Sequence, residues 1–255
     1  MLRGLVCAAL LFVGASAGAA MAEASSIQGC LAGEGDETAP WASILLESKR
    51  HLEGALNYSS SMNVIELASS VEALMPVVDV LASFVSKPLR KDSGNLRRAA
   101  STSDLVDLEK LVDDERRIAG KRDSVVATSA YWSYLFLDFF ERLLHGVMEN
   151  ADAALDESKE TDDSANAVIR VSAQSAYDAV YAPQHNFIIR KIARGVLNFI
   201  PHRERFFVAF GRSGSERKYW KSQLKKELTS FLGALRPCLT RLRDHFSKDG
   251  IPENL

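Results

Sequence analysis

The chain has 255 residues, of which 47% are hydrophobic and 25% charged, and its formal net charge is −2. This is the profile of an ordinary globular protein, long enough to bury a large core in one domain or two. The balance of charge supplies no overall basic field for nucleic acid.

Residues 1–22 read as a secretory signal peptide. Met1-Leu2-Arg3 gives a positive start, Leu5 to Val13 an apolar run, and the small residues that follow a cleavage region after Ala20 or Ala22. The expected destination is the secretory route, lumenal or secreted; a segment left unused would leave the protein cytoplasmic. No other segment reaches the roughly 18 apolar residues a spanning helix needs, so a soluble mature protein is expected. Residues 23–41, with Gly33-Glu34-Gly35, read as a flexible lead-in. Cys7 leaves with the signal, so Cys30 and Cys238 remain, either as one disulfide or as two free thiols. Asn57-Tyr58-Ser59 is a glycosylation sequon, usable only where that machinery is present.

Beyond residue 42 the apolar residues recur at three- and four-residue spacing. They predict helices over 43–58, 63–84, 103–120, 124–151, 165–182, 185–200, 202–210 and 216–247. Pro76 should kink or split the second of these. Ser103 is a helix start and Gly120 a stop, while Pro183 and Pro201 bracket the segment 185–200. Alternating hydrophobic runs between turn signals are missing, so the expected fold class is all-α, in one domain.

Motifs for chemistry are scarce. There is no HExxH or CxxC, and Gly211-Arg212-Ser213-Gly214-Ser215 lacks both the phosphate-loop ending and the nucleophile elbow. It reads as a turn. No enzyme activity, cofactor or metal is expected. The acidic run 149–163 reads as a solvated face, with basic residues gathered instead at 87–98 and 212–226.

Three segments stand out. The stretch 132–144 is apolar on nearly every side, as for a central core helix or one lining an apolar cavity. In "KPLRKDSGNLRR", Asp92, Asn95 and Arg98 follow at three-residue intervals and would share one side of a helix. They suit either a hydroxyl-rich or charged head group, or a cap with solvated charges. The third segment, "AYDAVYAPQHNF", places His185 where a proline-broken helix meets an apolar one.

In this order the three segments resemble the glycolipid transfer protein family. "DSGNLRR" supplies the family's Asp, Asn and basic residue, and "YWSYLFLDFF" its Trp. "VIRVSAQSAYDAVYAPQHNFIIRKI" matches its Ile-Arg-Val, Ala-Tyr, His and Ile-x-x-Lys-Ile stretch, and the resemblance runs over about residues 63–211. It implies a two-layer, all-α fold of about eight helices over residues 42–250, with 251–255 a tail, enclosing a lipid-binding cleft. The implied function is intermembrane transfer of sphingolipids, most simply glycosylated ceramides, by a monomer that touches membranes transiently. Asp92 and His185 would hold the ceramide amide, Trp132 would stack on the first sugar, and Asn95 and Arg98 would bond its hydroxyls. Val78, Leu81, Phe84, Phe136, Phe139, Phe140 and Val180 would line the chain tunnel. Phe187, Lys191, Phe199 and Ile200 would dock on the bilayer, beside Asn198 where the family often has Tyr. Where carriers of ceramide-1-phosphate place arginines, this chain has Tyr134, Leu135 and Asp138. Arg90, Lys91 and Arg97 keep a phosphorylated or sulfated head open as an alternative, and a sensor that binds without transferring is another.

Overall fold

Proline and capping side chains decide where the helices begin and end. The computed structural model describes residues 44–57, 61–119, 124–150, 163–198, 206–207, 209–210 and 220–249. The signal segment, the lead-in, Cys30, the 211–215 turn, Phe199, Ile200 and most of 202–210 lie outside them, as do the side chains of Leu81 and Phe84. Among the described residues there are eight α-helices: α1 (Ile44–Leu56), α2 (Val64–Ala73), α3 (Met75–Ser103), α4 (Leu108–Ala119), α5 (Val125–Glu149), α6 (Asp163–Val180), α7 (Phe187–Leu197) and α8 (Trp220–Asp249). The all-α expectation holds; extended pairing among these residues is limited to one isolated bridge between Asn63 and Asp107.

Asn63 caps α2 by accepting from the backbone N–H groups of Ile65 and Glu66 at 3.0 and 3.2 Å. As Pro76 predicts, the segment splits: α2 ends at Ala73 and Pro76 sits in the first turn of α3, where its missing N–H costs nothing. The rest of that reading needs correction. α3 does not stop near residue 84 but runs through Pro88 to Ser103, so Ser103 ends a helix rather than starting one. Asp104 then turns the chain in the left-handed conformation, at φ 56°. Buried Leu89, Ser93, Leu96 and Ala100 form a helical stripe whose packing outweighs the proline and glycine within it.

Glu115 on α4 fixes the start of α5. Its carboxylate accepts from the N–H groups of Val125 and Val126 at 2.9 and 2.7 Å and from the Ser124 hydroxyl at 2.6 Å. Negative charge there also complements the helix dipole.

α5 is the central element of the fold. It packs against α3, α6 and α8, and more lightly against α2 and α4. Contacts from α8 to α1, α1 to α2 and α2 to α3 complete a ring of helices. Phe136 and Phe140 are buried on α5, with Phe140 edge-on to Phe231 of α8 at 6.2 Å between ring centres. Val78 and Val180 are buried as well. Cys238 is a buried thiol whose sulfur lies 3.9 Å from that of Met62; burial pushes it up to about 12, so it stays protonated. Asn57 is exposed at the end of α1. No helix among the described residues is long and apolar enough to cross a membrane.

Candidate functional site

α3 and α5 meet through a short polar chain. The Asn95 side-chain amide donates to the Ser129 hydroxyl at 3.1 Å, and that hydroxyl donates to the Asp92 carboxylate at 3.0 Å. Asp92 is only 6% exposed. Burial pushes its carboxyl up to about 6, although the Ser129 hydrogen bond and the charge of Lys91 pull the other way. A carboxylate held at this cost keeps a lone pair for a further donor.

Arg98 does not join this pair. Three-residue steps fall short of a full helical turn, so the third residue drifts off the face, and Arg98 is exposed. The other cations of the segment are partly committed elsewhere. Arg97 forms a forked pair with Glu72 and bonds the Ser69 hydroxyl at 2.7 Å, and Arg90 pairs with Asp79 at 2.9 Å.

Trp132 follows Ser129 by three residues on α5. Its indole stacks on the Tyr181 ring at 6.3 Å and 21°, and Tyr181 stacks in turn on His185 at 6.0 Å and 13°. Phe139, two turns beyond Trp132, touches the same Tyr181 ring at 5.6 Å. The Tyr181 phenol is driven far up by burial, with the Asp138 and Asp92 carboxylates adding to the effect. Tyr181 therefore stands between the indole of α5 and the imidazole beyond α6, and it feels the Asp92 charge on α3.

His185 is placed by its surroundings rather than by a helix. After α6 the chain makes a 3-10 turn over Ala182–Gln184 at Pro183, and His185 follows in extended backbone. The next helix begins two residues later than the sequence suggests, because the Asn186 side chain caps it by accepting from the Ile189 N–H at 3.0 Å. Gln184 donates to the Tyr131 hydroxyl at 3.3 Å and Arg190 to the His185 carbonyl at 2.7 Å, which pins the turn on both sides. The Tyr177 hydroxyl lies 2.8 Å from Nδ1 of His185. Burial first, and Arg190 second, lower the imidazole below its usual range, so it is neutral at pH 7.

Sequence reasoning missed Ser129, Tyr177 and Tyr181. The four-residue spacing of Tyr177, Tyr181 and His185 carries a signal for two of them. Ser129 has none, since its role arises only when α3 and α5 pack.

α7 is the most amphipathic segment here and has no buried residue. Phe187 and Ile188 are 77% and 65% exposed, and Phe187 shares an open hollow of about 400 Å³ with Arg190, Lys191 and Arg194. Polar links hold α7 to α6: Arg194 pairs with Asp178 at 2.9 Å, and Gln174 donates to Asn198 at 2.9 Å.

Fold and site together define the class: an all-helical protein in which a buried carboxylate, an amide and stacked aromatic rings adjoin an apolar interior. Residues 62–212 match the model of the glycolipid transfer protein family, more than half of the chain, and the chain belongs to that family of lipid-transfer proteins. No curated protein sequence matches it. Solved structures share the fold. A point mutant of Arabidopsis accelerated-cell-death 11, complexed with C12 ceramide-1-phosphate, has a TM-score of 0.66 at 15% identity, over 83% of this chain and 98% of the other. Mouse ceramide-1-phosphate transfer protein gives 0.66 at 14%, over 84% and 99%. FAPP2, described as selecting simple glycosphingolipids with this fold, gives 0.62 at 18%, over 86% and 98%.

Proposed function

We propose that this protein moves sphingolipids between membranes without a chemical step, and that its preferred cargo has an uncharged, glycosylated head. The observation that carries this reading is the convergence of Asp92 and Asn95, joined through Ser129, with the Trp132–Tyr181–His185 stack. A ceramide presents one amide N–H and one carbonyl, and an amide buried without partners costs several kcal/mol, roughly 2–7. Asp92 accepts from the N–H. His185, with Tyr177 donating to Nδ1, carries its proton on Nε2 and donates to the carbonyl. Asn95 and the indole of Trp132 meet the first sugar, with Arg98 at the exposed margin.

The chain's own charges favour an uncharged head. Leu135 is buried, Tyr134 bonds Arg243, and Asp138 is a buried carboxylate where a phosphate clamp would need cations. The lipid tails would follow Val78, Phe136, Phe139, Phe140 and Val180 inward. Each methylene exposed to water costs about 0.8 kcal/mol, so an apolar sheath is what lowers the barrier to leaving a bilayer. α7 would provide transient docking through Phe187 and Lys191. The carrier acts as a monomer in the secretory route, to which the leader-like residues 1–22 would direct it.

The test is vesicle-to-vesicle transfer of labelled sphingolipids differing only in the head. Monohexosylceramide should move fastest. Faster movement of ceramide-1-phosphate or a sulfated lipid would overturn the head-group assignment, and binding without movement would make the protein a sensor.

A further inference from the structure

Asp138 is an acid that the amide and sugar contacts leave unused. It lies on α5, is 8% exposed, and accepts from Nε of Arg142 at 3.2 Å. Two further groups feel its charge. One is Arg243 of α8, which also bonds the Tyr134 hydroxyl, and the other is the phenol of Tyr181. Tyr181 in turn stacks on Trp132 and feels Asp92. Asp138 thus holds one guanidinium directly and its charge reaches a second guanidinium and a phenol, donors of the kind that bind a phosphate or sulfate.

We infer that Asp138 is an internal stand-in for an anionic head group and the residue that sets head-group selectivity in this chain. Its carboxylate occupies Arg142 and draws on Arg243, and its negative charge meets any anion brought alongside Tyr181. An uncharged sugar escapes that repulsion, and its hydroxyls can bond the protonated Tyr181 phenol. This inference rests on the proposed sphingolipid reading and adds its switch: removing one carboxylate should turn the site toward phosphate and sulfate.

The experiment compares transfer of monohexosylceramide, ceramide-1-phosphate and bare ceramide by the wild-type chain, Asp138→Asn and Tyr181→Phe. Thermal melts and far-ultraviolet circular dichroism report whether each variant is folded. Asp138→Asn should raise the ratio of phosphate to hexose transfer by at least about tenfold, since like charges brought together at a binding site cost several kcal/mol. Adding Arg142→Gln to that variant should reverse most of the gain. Tyr181→Phe, which keeps the ring stack, should slow the hexosyl lipid several-fold relative to bare ceramide. A phosphate-to-hexose ratio that stays within twofold in folded Asp138→Asn would overturn the inference. If the wild type prefers the phosphorylated lipid while the ratio still rises in the variant, the uncharged-head reading fails and the role of Asp138 stands. A wild type that moves none of the three lipids overturns both.

Discussion

The phenol of Tyr177 lies 2.8 Å from Nδ1 of His185, across the break between α6 and α7. Burial, and then Asp178, raise the phenol above its usual range, while burial lowers the imidazole, so both are neutral at pH 7. In the proposed arrangement Tyr177 donates to Nδ1, which would leave the ring proton on Nε2, the nitrogen offered to a ligand carbonyl. Tyr177→Phe should therefore weaken ceramide binding by about fivefold, the loss of roughly one hydrogen bond. Nitrogen-15 spectra of His185 should show the proton distribution shifting between the two nitrogens. An unchanged spectrum with unchanged affinity would mean that Tyr177 does not set the tautomer.

Asp92 should cost stability in the ligand-free protein. Its folded carboxyl is raised to about 6 from 3.8, so between those values the native state holds a proton that the unfolded chain releases. Stability then falls as pH rises through that window, and the whole cost is present at pH 7. Asp92→Asn, which keeps an acceptor for Ser129, should be more stable at pH 7 by up to about 3 kcal/mol and should fail to transfer lipid. The difference in unfolding free energy should close as pH is lowered to 4. A variant less stable than the wild type at pH 7 would contradict this account.

Trp132 lies about one turn beyond Ser129 on α5, and its indole stacks on the Tyr181 ring. Trp132→Ala should weaken glycosylated ligands by about tenfold more than bare ceramide, because only the former lose the stacking surface. Equal losses for both lipids would place the sugar elsewhere.

The apolar tip of α7 offers a separate test, since Phe187 and Ile188 lie far outside the core. Phe187→Ala with Ile188→Ala should leave the melting temperature within a degree or two and reduce vesicle attachment by about tenfold. Raising salt should weaken attachment to anionic vesicles through Arg190, Lys191 and Arg194. Attachment unaffected by either change would move docking to another surface.

Much of the fold was legible because its causes are local. Apolar spacing marks α1, α2, α5, α6 and α8, while Pro76 and Pro183 break the chain where the sequence says they should. Between residues 85 and 103 the same logic failed, because local breakers there are outweighed by the buried stripe Leu89, Ser93, Leu96 and Ala100. The start of α7 was off by two residues because Asn186, rather than His185, caps it.

By itself the sequence determined the all-helical class and the order of Asp92, Trp132 and His185 along the chain, since helical periodicity and residue type are written locally. Only the tertiary structure decided what those residues touch. Ser129 bridges Asp92 and Asn95, Tyr181 enters the stack between Trp132 and His185, and Arg97 turns to Glu72, all because separate helices pack side by side. Contacts between residues dozens of positions apart depend on how helix faces are turned toward each other, and no stretch of sequence read alone contains that angle.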